Sequence, residues 1–321
     1  MMFMAAASRL AVGGGQGPMQ GAALELVDTG KATSLAKALV LMALVAAGCA
    51  KSSSTIGSPA SVSAPTTQAP AALAPAHADG ALVAASAPSA VGPVATSTAS
   101  GPTPFPDPQD ERAWPGKGAI RVFPYMNDNR KWFWTEREAK QRRIVFAGDS
   151  LIGGWQDLEA DLKAFPVLNR GIGGEPTRGL LFRFQEDVLD LHPRAIVLLT
   201  GTNDLSAQQD VHETRSNIDE MLNLAERRSP GVPIVVCTLP PRKHPDSPVD
   251  PKQLLAANDL IRALPQSHHQ VIVLDLYALL ADPDGSPHAE YFGSDHLHLA
   301  EPGFLRFRDG LVPIFERLHL G

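Results

Sequence analysis

The stretch VFAGDSLIGG, Val145 to Gly154, joins an apolar run to a glycine pair through a single serine, Ser150. The apolar run is typical of a strand buried on both faces of a parallel sheet. The residues that follow are typical of a turn into a helix, where serine is also a favoured N-cap. The stretch therefore predicts a strand-to-helix junction, and it leaves open whether Ser150 is a helix cap or a nucleophile.

Runs of the same kind recur along the C-terminal part of the chain, with helical patterns between them. The predicted strands lie at 143–148, 165–171, 195–201, 233–239 and 270–276, and the clearest helices at 177–191, 212–228, 250–264 and 302–319. Strands that alternate with helices at this spacing indicate a parallel sheet with right-handed crossovers. We therefore predict a three-layer α/β/α fold of the flavodoxin-like type, with sites at the carboxyl ends of its five parallel strands.

Composition separates a tether from a folded domain. Residues 52–108 are almost entirely Ala, Pro, Ser, Thr, Gly and Val, which cannot bury enough apolar surface to fold. We predict a disordered tether over 49–109 and one folded domain over 110–321. A net charge of -6, with no basic cluster and no zinc-ligand spacing, argues against a nucleic-acid partner.

The N-terminal region has the pattern of an export signal. Two lysines precede the apolar run ALVLMALVAAGC, Ala38 to Cys49. The run is shorter than the roughly 20 residues that a membrane-spanning helix needs, so we predict a signal peptide over 1–48 with an over-extended start. Its end, AAGC, resembles the lipobox of bacterial lipoproteins. That resemblance implies lipidation of Cys49 and a lipid anchor in the bacterial cell envelope, on the periplasmic side. Cys237, the other cysteine, is then expected to be a small buried apolar side chain.

Four short blocks carry the candidate chemistry, and three of them follow a predicted strand directly. They are GDSL with Ser150, NRGIGG at 169–174 with Gly171, GTND at 201–204 with Asn203, and SDHLHL at 294–299 with Asp295 and His298. Because the carboxyl ends of parallel strands share one edge of a sheet, we expect the first three blocks to meet there. The fourth block precedes the final helix and can return to the same edge.

These residue types fit nucleophilic catalysis. A hydroxyl is a weak nucleophile until a base such as imidazole removes its proton. A carboxylate must in turn hold the imidazole in the right tautomer, as Asp295 can for His298. The oxyanion formed on attack requires preorganised donors, which the N–H groups of Gly171 and Ser150 and the side-chain amide of Asn203 offer. The set predicts acyl transfer by Ser150 without metal or cofactor, with activity that falls in acid as the base takes up a proton.

In this order the blocks resemble those of the SGNH (GDSL) hydrolase superfamily. The segments VLNRGIGGEPTRGLLFRF, VLLTGTND and DHLHL are most similar to the branch that contains platelet-activating-factor acetylhydrolase type I catalytic subunits, with bacterial acetyl esterases nearby. The resemblance covers about 110–321. It implies the SGNH hydrolase fold and short acyl groups, acetyl above all, in substrates that are carboxylic esters. It assigns Ser150 as nucleophile, His298 as base, Asp295 as its orienter, and Gly171 and Asn203 as oxyanion donors. Homodimers are expected in this branch. His296 departs from the family pattern, in which a small or aromatic residue is expected at this position. It is interpreted either as a residue that lines the mouth of the pocket or as a solvated loop residue.

The substrate is less closely defined by the sequence. An envelope location favours O-acetylated saccharides, and Trp155 is a candidate for stacking on a sugar ring. Arg178 and Arg242 are candidates for contacts with an acidic saccharide. Each of the three has an alternative as a packing or solvated residue. Three other functions stay open: an O-acetyltransferase on the same scaffold, a lipase or thioesterase with a longer acyl groove, and a tethered binding module that has lost its chemistry.

Overall fold

The sheet is the centre of the fold. The computed structural model describes residues 101–321, so the predicted signal peptide, Cys49 and the tether up to residue 100 lie outside the described residues. Five strands form one parallel sheet in the order β2–β1–β3–β4–β5, which confirms the predicted flavodoxin-like arrangement. Their bounds are β1 Ile144–Gly148, β2 Val167–Gly171, β3 Ala195–Leu199, β4 Ile234–Cys237 and β5 Val271–Leu274.

Burial along the strands follows their place in the sheet. Every residue of β1, β3 and β4 is buried, whereas the edge strands β2 and β5 each have two partly exposed residues. Helices cover both faces of a parallel sheet, so its inner strands contact apolar side chains above and below. This explains why the inner strands are continuous runs of Val, Ile, Leu, Phe and Ala.

The helices that directly follow β1 and β3 are short, whereas those that cover the two faces of the sheet are long. Their bounds are α1 Pro124–Glu136, α2 Ser150–Gly153, α3 Leu158–Asp161, α4 Thr177–Asp187, α5 Thr202–Ser206, α6 Val211–Arg228, α7 Pro251–Arg262, α8 Leu276–Leu280 and α9 Glu301–Arg317. Short 3₁₀ segments lie at Glu111–Ala113, Leu189–Leu191, Leu264–Gln266 and Ala289–Tyr291. No helix among residues 101–321 is both long and apolar enough to cross a membrane.

Local sequence explains where the long helices begin. The side chain of Asp210 accepts the N–H of His212 at the start of α6, and that of Asp250 accepts the N–H of Lys252 at the start of α7. Both are N-caps, and α7 also has Pro251 in its first turn, where the ring fits the helical φ.

The connections place the helices in two layers. The crossovers through α4, α6 and α7 all run in one direction across the sheet, so right-handedness puts them on one face. The crossover from β1 to β2 runs the other way, which puts α2 and α3 on the opposite face. There α9 packs with its aromatic side chains against Trp155 and Phe146.

Residues 101–123, which we term the N-terminal strap, pack onto this core ahead of α1. Phe105 is buried and stacks on Trp114, with ring centroids 5.7 Å apart. The backbone N–H of Thr103 donates to Glu186 at 3.0 Å, and its hydroxyl donates to the same carboxylate at 2.5 Å. The predicted start of the domain at residue 110 is therefore too late, because the apolar side chain of Phe105 already belongs to the core.

Candidate active site

The nucleophile candidate lies where β1 turns sharply into α2. A Cβ at Gly148 would meet the carbonyl oxygen of Leu199 at 2.0 Å, so glycine is required for this close approach to β3. The N-cap is Asp149, whose Oδ1 accepts the N–H of Leu151 at 2.9 Å. Ser150 is then the first residue of α2, and its side chain is not the cap. The helix-cap alternative is excluded because the neighbouring carboxylate fills that role.

Asp149 is itself unusual, since it is completely buried beside the candidate nucleophile. Burial raises its pKa to about 7, against the opposing hydrogen bond from the Leu151 N–H and the nearby His298. Its second oxygen, Oδ2, has no hydrogen-bond partner within the described residues. A carboxylate in such a place is destabilised, and its protonated form is favoured.

Ser150, His298 and Asp295 form one continuous hydrogen-bonded chain. The Oγ of Ser150 lies 3.0 Å from Nε2 of His298, and Nδ1 of His298 lies 2.6 Å from Oδ2 of Asp295. Because an ionised carboxylate can only accept, Nδ1 carries the proton and Nε2 accepts from the serine hydroxyl. The structure thus brings together the three residues that the sequence singled out, in the arrangement that removes a proton from a hydroxyl.

Asp295 is held in its ionised form. Burial raises its pKa, but hydrogen bonds from the imidazole of His298 and from the backbone N–H groups of His298 and Leu297 outweigh burial and hold the pKa well below its ordinary value. The two backbone bonds to Oδ1 are both 3.0 Å long. The spacing of Asp295 and His298 in sequence is therefore the spacing of a turn that wraps its backbone around the carboxylate.

One predicted oxyanion donor is wrong. The N–H of Gly171 donates to Oδ1 of Asn169 at 2.9 Å, so it is already engaged. A Cβ at Gly171 would lie 2.2 Å from the backbone nitrogen of Gly153. Gly171 is glycine because β2 and α2 pack backbone against backbone at this point, and not because its N–H faces a substrate.

Three residues further along the same block, Gly174 provides the donor that Gly171 does not. Its φ of +74° lies in the left-handed region, which favours glycine. Its N–H donates to no acceptor within the described part of the chain. The side-chain nitrogen of Asn203 donates to the carbonyl of the next residue, Glu175, at 3.2 Å. Gly174 and Asn203 are thus neighbours at the sheet edge where Ser150 also lies.

Buried polar contacts fix the loop that contains Gly174. Arg183 of α4 donates to both carboxylate oxygens of Glu175, with the shortest bond at 2.7 Å, and to the carbonyl of Arg170 at 2.9 Å. The carboxylate of Asp204 accepts the N–H of Thr177 at 2.9 Å and so satisfies the start of α4. These bonds preorganise the loop, which an oxyanion site requires.

Trp155 does not line a binding surface, which corrects the prediction that it stacks on a sugar. Only 2% of its surface is exposed. Its ring stacks on Phe304 of α9 at a centroid distance of 5.2 Å, and its Nε1–H donates to Asp161 at 2.7 Å. The stacked face and the polar edge of the ring are therefore used inside the protein.

The predicted contact of Arg178 with an acidic saccharide is also wrong. Arg178 is 3% exposed and donates to backbone carbonyls of the N-terminal strap, including those of Pro115 at 2.9 Å and Gly118 at 3.1 Å. It fastens the strap to α4.

Arg242 and His296 lie nearer the surface. The terminal nitrogens of Arg242 donate to Thr202 and Ser206 of α5 and to Ser247, so they brace the helix that contains Asn203. Those contacts take the donors that an acidic saccharide would need. His296 is exposed with a φ of +51°, and its carbonyl accepts the N–H of Lys243 at 2.9 Å.

Comparison with known proteins agrees with this fold. The profile of the GDSL-like Lipase/Acylhydrolase family matches residues 141–304, and the chain belongs to this family of ester-hydrolysing enzymes.

Two groups of relatives extend the comparison. Platelet-activating factor acetylhydrolase IB subunit alpha1 of Homo sapiens is 29% identical over 230 residues, which are 69% of this chain and 87% of that protein. Subunit alpha2 of Rattus norvegicus is 30% identical over 185 residues, or 56% of this chain and 78% of that protein. The crystal structure of a GDSL-like lipase from Bacteroides thetaiotaomicron matches with a TM-score of 0.53 at 24% identity, and covers 58% of this chain and 97% of that one. The structural match confirms the fold.

Proposed function

We propose that this acylhydrolase is a serine esterase that works through an acyl-enzyme formed on Ser150. The observation that carries the proposal is the hydrogen-bonded chain from the Ser150 hydroxyl through His298 to the carboxylate of Asp295. In the first step His298 Nε2 takes the serine proton as Oγ attacks the ester carbonyl, and then gives that proton to the departing alkoxide. In the second step water loses a proton to His298 and attacks the acyl-enzyme, and Ser150 leaves with the proton restored.

The negative charge on the attacked carbonyl oxygen has three candidate donors. They are the N–H of Ser150 at the start of α2, the N–H of Gly174, and the remaining N–H of the Asn203 amide. The geometry around Gly171 supports Gly174 as the backbone donor, because the Gly171 N–H is bound to Asn169. Preorganised donors of this kind are worth about 10²- to 10³-fold each in kcat.

The acyl group that we propose is short, acetyl above all. Relatives in two subunit types are acetylhydrolases, and this supports an acetyl ester without defining the alcohol. We further propose that the enzyme is anchored to the cell envelope through lipidated Cys49 and acts there on O-acetylated saccharides. Support for the anchor comes from the sequence ALVLMALVAAGC that precedes the tether.

The acyl preference is tested by comparing kcat/KM for p-nitrophenyl acetate and p-nitrophenyl octanoate, with Ser150→Ala as the control. A strong preference for acetate that disappears in the variant is the expected result. A preference for octanoate would refute the short acyl group and retain the serine mechanism. Turnover equal in wild type and Ser150→Ala would refute the mechanism itself.

The anchor is tested separately in a bacterial host. Mass spectrometry of the N-terminal peptide should find a diacylglyceryl group on Cys49 and no residue before it, and membrane fractionation should follow. Cys49→Ser is the control and should lose both. An unmodified Cys49 within an intact N-terminal sequence would overturn the anchor.

A further inference from the structure

The N-terminal strap places one guanidinium against two of the three candidate oxyanion residues, Gly174 and Asn203. Arg121 Nη1 donates to Oδ1 of Asn203 at 3.2 Å and to the carbonyl of Gly174 at 3.2 Å. Arg121 precedes α1 and the first strand, and it lies outside the residues 141–304 that match the family. It is thus a contribution of the strap to the site.

The hydrogen bonds of the Asn203 amide determine its orientation. Arginine can only donate, so the atom that faces Arg121 must be the amide oxygen. A backbone carbonyl can only accept, so the atom that faces Glu175 must be the amide nitrogen. One of the two N–H bonds of Asn203 is then used by Glu175, and one remains for a substrate oxygen. Without Arg121 the amide oxygen would lose the partner that fixes this orientation.

The charge of Arg121 adds to this effect. Arg130, Arg170 and Arg183 each pair with a carboxylate within 2.7 Å. The hydrogen bonds of Arg121 instead end on Gly174 and Asn203, and its charge also opposes the burial that raises the pKa of Asp204. A cationic donor on the amide oxygen polarises the amide, which makes its N–H a stronger donor to a developing negative charge.

We propose that Arg121 is a positioning residue of the oxyanion site, which orients and polarises Asn203. This inference rests on the proposed function, since it needs Asn203 as an oxyanion donor. Because the oxyanion exists only in the transition state, Arg121 should act on kcat and leave KM nearly unchanged.

The test measures kcat and KM on p-nitrophenyl acetate in the full-length chain for Arg121→Met and Arg121→Lys, each alone and with Asn203→Ala. Arg121→Met should lower kcat about 10- to 100-fold, a part of the effect of a whole donor, with KM within about twofold. Arg121→Lys should recover part of the loss, because an ammonium group can still donate to Oδ1. In the Asn203→Ala background Arg121→Met should change kcat by less than about threefold, since the group through which it acts is gone.

Thr103→Val is the matched control, because it removes a contact of the same strap with Glu186 far along the chain from Arg121. It should leave kcat at the wild-type value. A loss in Arg121→Met that is equally large in the Asn203→Ala background would overturn the proposal, as would a rise in KM at constant kcat. Wild-type kinetics in Arg121→Met, with turnover still dependent on Ser150, would overturn this inference alone. Turnover that does not depend on Ser150 would overturn the proposed function and this inference together.

Discussion

Replacement of Asp149 by asparagine should make the stability of the protein less sensitive to pH. Asparagine has the same shape and can still accept the N–H of Leu151 through Oδ1, but it cannot ionise. Wild-type Asp149 has its pKa raised by burial from 3.8 to about 7. The folded protein therefore binds a proton more tightly than the unfolded chain between these values. Stability from this group is complete below about pH 4 and is lost as the pH rises to about 7.

The size of the effect follows from the two pKa values. A tenfold change in proton affinity corresponds to about 1.4 kcal/mol. Relative to its value well below pH 4, the free energy of unfolding is then lower by about 2 kcal/mol at pH 5, where only the unfolded chain ionises at this position, and by about 4 kcal/mol at pH 8, where buried Asp149 ionises too. The new amide nitrogen replaces Oδ2, which lacks a partner among the described residues, and this costs about 1–3 kcal/mol at every pH. Relative to wild type, Asp149→Asn should be about 2 kcal/mol more stable at pH 8 than at pH 5.

Urea unfolding at pH 5 and pH 8 measures this difference directly. The groups whose charges act on Asp149 are present in both proteins, so the comparison isolates the carboxyl group at position 149. Asp128→Asn, at an exposed position of α1, controls for the exchange of aspartate for asparagine. An equal difference between Asp149→Asn and wild type at both pH values would show that Asp149 does not change its protonation with folding.

Four further substitutions separate the chemistry of the site from its support. Asp295→Asn should lower kcat about 10⁴-fold because the imidazole tautomer is no longer held, with a cooperative urea unfolding curve at a lower midpoint, since the depressed pKa of Asp295 stabilises the folded state; near wild-type turnover would contradict the role of Asp295. Trp155→Ala should lower the unfolding free energy by about 3–5 kcal/mol and leave KM unchanged, whereas a raised KM at wild-type stability would restore the sugar-stacking interpretation. Gly174→Ala should lower kcat at least tenfold because its φ of +74° is strained for alanine. Gly171→Ala should mainly lower the melting temperature, and the reverse pattern for the two glycines would return the donor role to Gly171.

The fold could be predicted from the sequence because the inner strands of its sheet are buried on both faces. Strands of this kind must be apolar at every position, and β1, β3 and β4 satisfy that requirement. The hydrogen-bonded set of Ser150, His298 and Asp295 could also be predicted, because a serine nucleophile needs an imidazole base and a carboxylate. Both predictions rest on requirements that the residue type alone can reveal.

The wrong or missed predictions concern residues whose role depends on which neighbouring group occupies their hydrogen-bond donors or packs against them. The block NRGIGG does not reveal that the N–H of Gly171 donates to Asn169. It also does not reveal that the N–H of Gly174 has no acceptor among the described residues. Trp155 follows the nucleophile closely in sequence, but α2 directs it towards Phe304 and the core. Arg121 lies in a loop without periodicity, and its contact with Asn203 spans 82 positions.

The hydrogen bond between Ser150 and His298 joins positions 148 apart in the chain. During synthesis the residues of all five strands are made before His298 exists, so the sheet can assemble around a serine that is still chemically inert. By the proposed mechanism hydrolysis requires the segment before α9 to dock, so turnover would report that this last segment has folded onto the sheet. A chain that stops before His298 would lack the base and α9 together, so by the proposed mechanism it would have no turnover.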